Sequence, residues 1–167
     1  HALNSAGIIR HPRAFYDMVR LGIGLYGVSP IEEIQKQLKN VSSLKSMISQ
    51  IKQLKKGESL GYGREHIADK DQLIATVPVG YADGIRRNLG NGKGKMWVHK
   101  QAAPILGNIC MDMCMLDITG IPAEEGDEVI VFGDICPVSS FAANIGTIPY
   151  EVLTSISSRV KRVYFQE

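Results

Sequence analysis

Two tyrosines stand in glycine frames, Gly61-Tyr62-Gly63 and Gly80-Tyr81-Ala82-Asp83-Gly84. A phenol can give or take a proton and can donate a hydrogen bond to an anion. Flanking glycines let the backbone bend and let a ligand approach closely. Tyr62 is therefore a candidate acid/base and Tyr81 a candidate donor to substrate. Local pattern alone favours a plainer role, that of rim tyrosines with packed rings and wet hydroxyls.

Other chemistries have less support. The three cysteines, Cys110, Cys114 and Cys136, are an odd count without a disulfide framework. Cys110 and Cys114 lie in an apolar, strand-like stretch with no ligands at metal-binding spacing, so we expect no metal site and reduced, buried thiols in a cytoplasmic protein. The chain of 167 residues is 44% hydrophobic and 22% charged with net charge +2. That balance is ordinary for a globular chain and lacks the clustered basic excess of a nucleic-acid or membrane-surface binder. No apolar run approaches the roughly 18 residues of a membrane span. His1 through Gly7 has neither an initiator Met nor a signal pattern, and is expected to lie inside a longer protein.

The elements that must position these groups fall into two textures. In the first, Pro12 can open a helix, and Phe15, Met18 and Val19 at i, i+3 and i+4 predict a buried stripe through about Arg20. The glycine-laced apolar run from Gly22 to Val28 predicts a short strand. Strand end, helix and strand form the tail of a parallel β/α unit, which cannot bury both faces alone. Residues 1–40 are thus expected to be the last β/α segment of a truncated barrel, with a linker whose segment from Pro30 to Lys39 forms a short helix. Residues 41–167 are expected to be a β-domain. Strands are predicted over 47–54, 72–79, 95–99, 105–106, 110–118 and 128–132. Asp83-Gly84, Asn91-Gly92 and Glu125-Gly126 mark turns between them. This spacing indicates an antiparallel barrel or sandwich. Short helices are expected over 141–145 and from Pro149 to about Ser157, followed by a last strand over 159–165 whose basic residues face outward.

Six segments, in order, resemble the motifs of alanine racemases: His1-Ala-Leu-Asn-Ser5, Arg20-Leu-Gly-Ile-Gly-Leu-Tyr-Gly27, Gly61-Tyr-Gly-Arg64, Val79-Gly-Tyr-Ala-Asp-Gly84, Asn108-Ile-Cys-Met-Asp112 and Ile148-Pro-Tyr-Glu151. The resemblance covers essentially the whole chain. It implies a mainly β fold, the C-terminal antiparallel domain of a pyridoxal-phosphate-dependent racemase, preceded by the end of its (β/α)8 barrel. The implied activity is interconversion of L- and D-alanine, supplying D-alanine for bacterial cell-wall peptidoglycan. The family's Schiff-base lysine lies upstream of His1, and no lysine here matches it.

Inverting a stereocentre by proton transfer needs an acid/base on each face of a planar carbanion. The resemblance gives one face to the absent lysine and the other to Tyr62. A free tyrosine has a pKa of about 10, and nearby positive charge would lower it. The implied source is His1 and Arg20, in a hydrogen-bonded chain to Tyr62. Arg20 is also implied to face the cofactor's pyridine nitrogen, keeping it unprotonated and limiting side reactions. Ser5, Gly22, Ile23 and Tyr150 match the phosphate-contact positions. Met111 matches a residue whose backbone N–H meets the substrate carboxylate, with Tyr81 near the same group. Arg87 and Asp112 match the outer layer of the substrate access channel. Asn108 departs from the arginine common in the family at that position, which bears on the charge of the channel. The resemblance further implies a homodimer in which Tyr62 faces the lysine of the other subunit, so the chain alone, without the barrel domain, is expected to be inactive. The reading that competes is a stand-alone β-barrel binding module without catalytic activity.

Overall fold

The computed structural model describes residues 1–165 and divides into two compact units, His1–Ser43 and a second from Leu44 onward. In the first, α1 (Ser5–Arg10) is capped by Asn4, whose Oδ1 accepts the Gly7 N–H at 2.9 Å. A 3₁₀ turn follows over Pro12–Ala14, a second spans Ile23–Tyr26, and α2 is Glu32–Gln35. The helix expected through Arg20 does not form. Tyr16 adopts φ of 49°, which breaks the helical run, and Phe15 and Met18 are 41% and 52% exposed. A three-residue stripe without a surface to pack on does not stabilise a helix. Gly22 to Val28 is likewise not a strand. The chain winds into the 3₁₀ turn and stops at Gly27, which adopts the left-handed conformation.

The second unit is built on antiparallel strands. They are β1 (Leu44–Met47), β2 (Gln50–Leu54), β3 (Ser59–Leu60), β4 (His66–Ile67), β5 (Gln72–Val77), β6 (Lys95–Val98), β7 (Gln101–Leu106), β8 (Cys114–Asp117) and β9 (Glu128–Phe132). Seven of them form one sheet in the order β1-β9-β6-β7-β8-β5-β2, and β3 pairs with β4 as a separate hairpin. The single strand expected over 47–54 is split at Ile48-Ser49, and the split sends its two halves to opposite ends of the sheet. The Ile48 N–H donates to Asp127 C=O on the β9 side, whereas the Ser49 N–H donates to Thr76 C=O in β5. One bent segment thus supplies the strands at both ends of the sheet order.

The interior follows from alternation along the strands. Val77, Met96, Val98, Ala103, Ile105, Cys114, Leu116, Val129 and Val131 are all fully buried. Burying each large aliphatic side chain contributes about 1.5–3 kcal/mol. Two short helices complete the unit, α3 (Val138–Asn144) and α4 (Pro149–Ser155). Phe141 of α3 packs against Phe132 of β9 with ring centroids 5.7 Å apart. The last strand expected over 159–165 is absent. Instead the Arg162 guanidinium folds back onto the carbonyls of Ile156, Ser157 and Val160.

Candidate active site

Tyr62 sits at the tip of the β3–β4 hairpin in a 3₁₀ turn, 77% exposed. Its two glycines have a backbone reason: Gly61 and Gly63 adopt φ of 75° and 72°, a region that disfavours side chains. The Asn108 side-chain N–H donates to the Tyr62 C=O at 3.2 Å, while Asn108 Oδ1 accepts from Asn91 at 3.3 Å. Asn108 thus ties the tyrosine's backbone through a neutral amide.

Tyr81 opens a 3₁₀ turn, Tyr81–Asp83, that is pinned to the turn bearing Met111. The Tyr81 N–H donates to Cys110 C=O and the Ala82 N–H to Met111 C=O, both at 3.0 Å. The approach is so close that a Cβ on Gly80 would lie 2.4 Å from each of those carbonyl oxygens. Tyr62, Tyr81, Arg87, Met111 and Asp112 line one open cleft of about 490 Å³, together with Asn108, Ile109, Cys110 and Met113. Five residues singled out from the sequence thus converge on a single surface. Tyr150, in the first turn of α4, is half-exposed and is not among the residues lining this cleft.

A charged clamp, which sequence reading missed in part, fixes this cleft. Arg159 Nε donates to Asp83 Oδ1 at 2.7 Å, and Arg159 Nη1 lies 2.7 Å from Asp112 Oδ1. The other Asp83 oxygen accepts the Gly80 N–H at 2.8 Å. One arginine therefore ties the Tyr81 turn to the Met111 turn. Burial by itself would push the Asp83 carboxyl up, but hydrogen bonds from Arg159 and Gly80 outweigh it and hold the group below the ordinary carboxylate range. Asp112, assigned to the outer channel, is thus ion-paired. Nothing local marks Arg159 for this task, because its Asp83 partner is 76 residues away. The Cys114 thiol is pushed up to about 12 by burial and by Cys110, consistent with an inert core residue.

In the first unit, Ser5 is buried, and its Oγ accepts the Gly22 N–H at 2.9 Å and the Gly24 N–H at 3.4 Å. Ile23 lies between them, at the start of its 3₁₀ turn. Backbone N–H groups that converge on one oxygen form a cradle suited to an anion. The Arg20 guanidinium donates to Ala2 C=O at 3.0 Å, and the Arg20 N–H donates to Leu3 C=O at 2.7 Å. His1, beside Ala2, is exposed. Among the described residues no cluster of His, Cys, Asp or Glu could hold a metal, and no helix is long and apolar enough to cross a membrane.

Residues 41–164 match the alanine racemase C-terminal domain model, and residues 1–30 match the alanine racemase N-terminal domain model. The alanine racemase of Clostridium tetani is 45% identical over 175 residues, covering 100% of this chain and 45% of the relative. That of Sorangium cellulosum is 43% identical, covering 98% of this chain and 45% of the relative. The solved alanine racemase of Clostridium difficile 630 superimposes with a TM-score of 0.90 at 41% identity, covering 99% of this chain and 44% of that one. A structure of the Bartonella henselae enzyme with covalently bound pyridoxal phosphate gives 0.89 at 34% identity, covering 98% and 46%. The chain therefore spans a little under half the length of these relatives.

Proposed function

The chain belongs to the alanine racemase family, and from that premise we propose that it is the C-terminal part of a longer pyridoxal-phosphate-dependent enzyme interconverting L- and D-alanine. The observation that carries this reading is the convergence of Tyr62, Tyr81, Met111, Arg87 and Asp112 on one cleft. Tyr62 takes or returns the Cα proton on one face. Tyr81 and the Met111 backbone orient the substrate carboxylate, and Arg87 and Asp112 line its way in. The cofactor, when bound, supplies the electron sink that makes a Cα proton removable.

The residues present fit its phosphate. The Gly22 and Gly24 N–H groups already converge on one oxygen, the Ser5 Oγ, so the Ser5 hydroxyl proton is left to point outward, and this hydroxyl with the Gly22 and Ile23 backbone would hold a phosphate oxygen. Arg20 would supply the fixed positive charge that keeps the cofactor's pyridine nitrogen unprotonated. The covalent lysine lies in the barrel domain outside this chain. The domain division we propose is a barrel remnant over 1–40 and the β-domain over 41–167. The parent enzyme acts as a cytoplasmic homodimer supplying D-alanine for peptidoglycan, with Tyr62 working across the subunit boundary. Neither nucleic acid nor membrane is a partner.

Two measurements test this. In the full-length protein, Tyr62→Phe should abolish exchange of the Cα proton with solvent from one enantiomer far more than from the other. Equal, mild losses would return Tyr62 to a structural role. The 167-residue chain alone should neither racemise alanine nor bind the cofactor covalently, and turnover by the purified chain would refute that part.

A further inference from the structure

Tyr62 is carried by a hairpin whose strands, β3 and β4, are two residues each. So short a hairpin does not hold its own position in water, and its glycine-flanked tip adds freedom. What locates the tyrosine is the set of ties between hairpin and sheet. One is the Asn108 amide on the Tyr62 carbonyl. Another starts at His66 in β4, whose Nε2 lies 2.8 Å from Gln72 Oε1. Gln72 Nε2 in turn donates to Asp117 Oδ2 at 2.8 Å. Gln72 opens β5 and is only 6% exposed, and Asp117 closes the neighbouring β8.

Hydrogen-bond inventory gives this chain a direction. The Asp117 carboxylate only accepts, so Gln72 must present its NH2 to it and its oxygen to His66. His66 must then carry a proton on Nε2. Burial raises the Asp117 carboxyl, but bonds from Thr119 and Gln72, with Lys70 nearby, outweigh it and keep the acceptor ionised. Each group has one role, so ring, amide and carboxylate lock in a single arrangement. A buried amide stabilises a fold no better than an aliphatic side chain of the same size. What it adds is orientation.

We propose that His66 and Gln72 are positioning residues for Tyr62, forming a strut anchored at Asp117 that holds the hairpin where its phenol reaches the reacting carbon. This rests on Tyr62 being the proton-transfer residue. Two variants of the full-length, cofactor-loaded enzyme test it beside Tyr62→Phe. His66→Phe keeps the ring and removes the donor. Gln72→Glu keeps the shape but sets two carboxylates together, so the strut re-forms only when the introduced carboxyl is protonated.

Both should lower kcat about tenfold with KM little changed, because a displacement well under 1 Å suffices. The α-deuterium isotope effect should rise for the enantiomer whose proton Tyr62 takes, and not for the other. Gln72→Glu should regain activity relative to the unsubstituted enzyme between about pH 9 and about pH 6. Unchanged kcat, or equal changes in isotope effect for both enantiomers, overturns the strut. If Tyr62→Phe itself shows no such asymmetry, the proton-transfer reading has failed, and the strut with it. Asymmetry for Tyr62→Phe alone rejects only the strut.

Discussion

Replacing Gly80 with alanine tests whether the Tyr81 and Met111 turns are as tightly joined as their geometry indicates. Gly80 has φ of −143° and ψ of −162°, extended backbone open to any residue, so conformational strain is not the issue. The cost is steric. The new methyl would lie 2.4 Å from Cys110 O, 2.4 Å from Met111 O and 2.6 Å from the Met111 carbonyl carbon. These are backbone atoms that cannot rotate away, so the turns must part by about 1 Å to reach ordinary contact. The two 3.0 Å bonds from the Tyr81 and Ala82 amides would stretch beyond useful length. Each lost bond costs about 1 kcal/mol, and overpacking adds about 1–3 kcal/mol. A total of about 3–5 kcal/mol should lower the melting temperature by about 6–20 °C. Circular dichroism melts and urea titrations of the two proteins measure this directly. A variant melting within about 2 °C of the parent would refute the reasoning, since the turns would then have slack that the structure does not show.

Two further outcomes follow from the titrating groups. Asp83 is held below its unfolded value of about 3.9, so its contribution to stability is complete above about pH 5 and is lost as pH falls through the folded value. Urea titrations at stepwise lower pH should show that Asp83→Asn is less stable than the parent near neutrality but loses less on acidification; parallel acid limbs would contradict this. Among the thiols, partly exposed Cys110 should react with a thiol reagent in the native protein, whereas Cys114, buried and pushed up to about 12, and buried Cys136 should react only on unfolding. Cys110→Ser should remove the native-state reaction; labelling of Cys114 at the same rate would oppose the assignment.

Local pattern made much of the fold legible. The nearly continuous apolar run Gln72–Val77 forms a largely buried strand, and in Glu128–Phe132 the buried Val129 and Val131 point inward at the period of two. Pro149 opens α4, and the Asp83-Gly84, Asn91-Gly92 and Glu125-Gly126 pairs mark turns. It misled where structure depends on neighbours rather than on pattern. Phe15 and Met18 of the expected stripe are exposed, the Gly22–Val28 run winds around Ser5, and Arg159 and Arg162 fold back instead of extending a strand.

The candidate site divides along the same line. The sequence by itself nominated Tyr62 and Tyr81, because each lies in a short motif whose glycines answer to backbone needs within a few residues, whereas Met111 was nominated only by the family resemblance. Only the tertiary structure decided what holds them. The Asp83–Arg159–Asp112 clamp, the Asn108 grip on Tyr62 and the His66–Gln72–Asp117 strut join residues from separate strands and turns. A hydrogen bond is local in space but not along the chain. Its partners become visible only once the strands have closed around them.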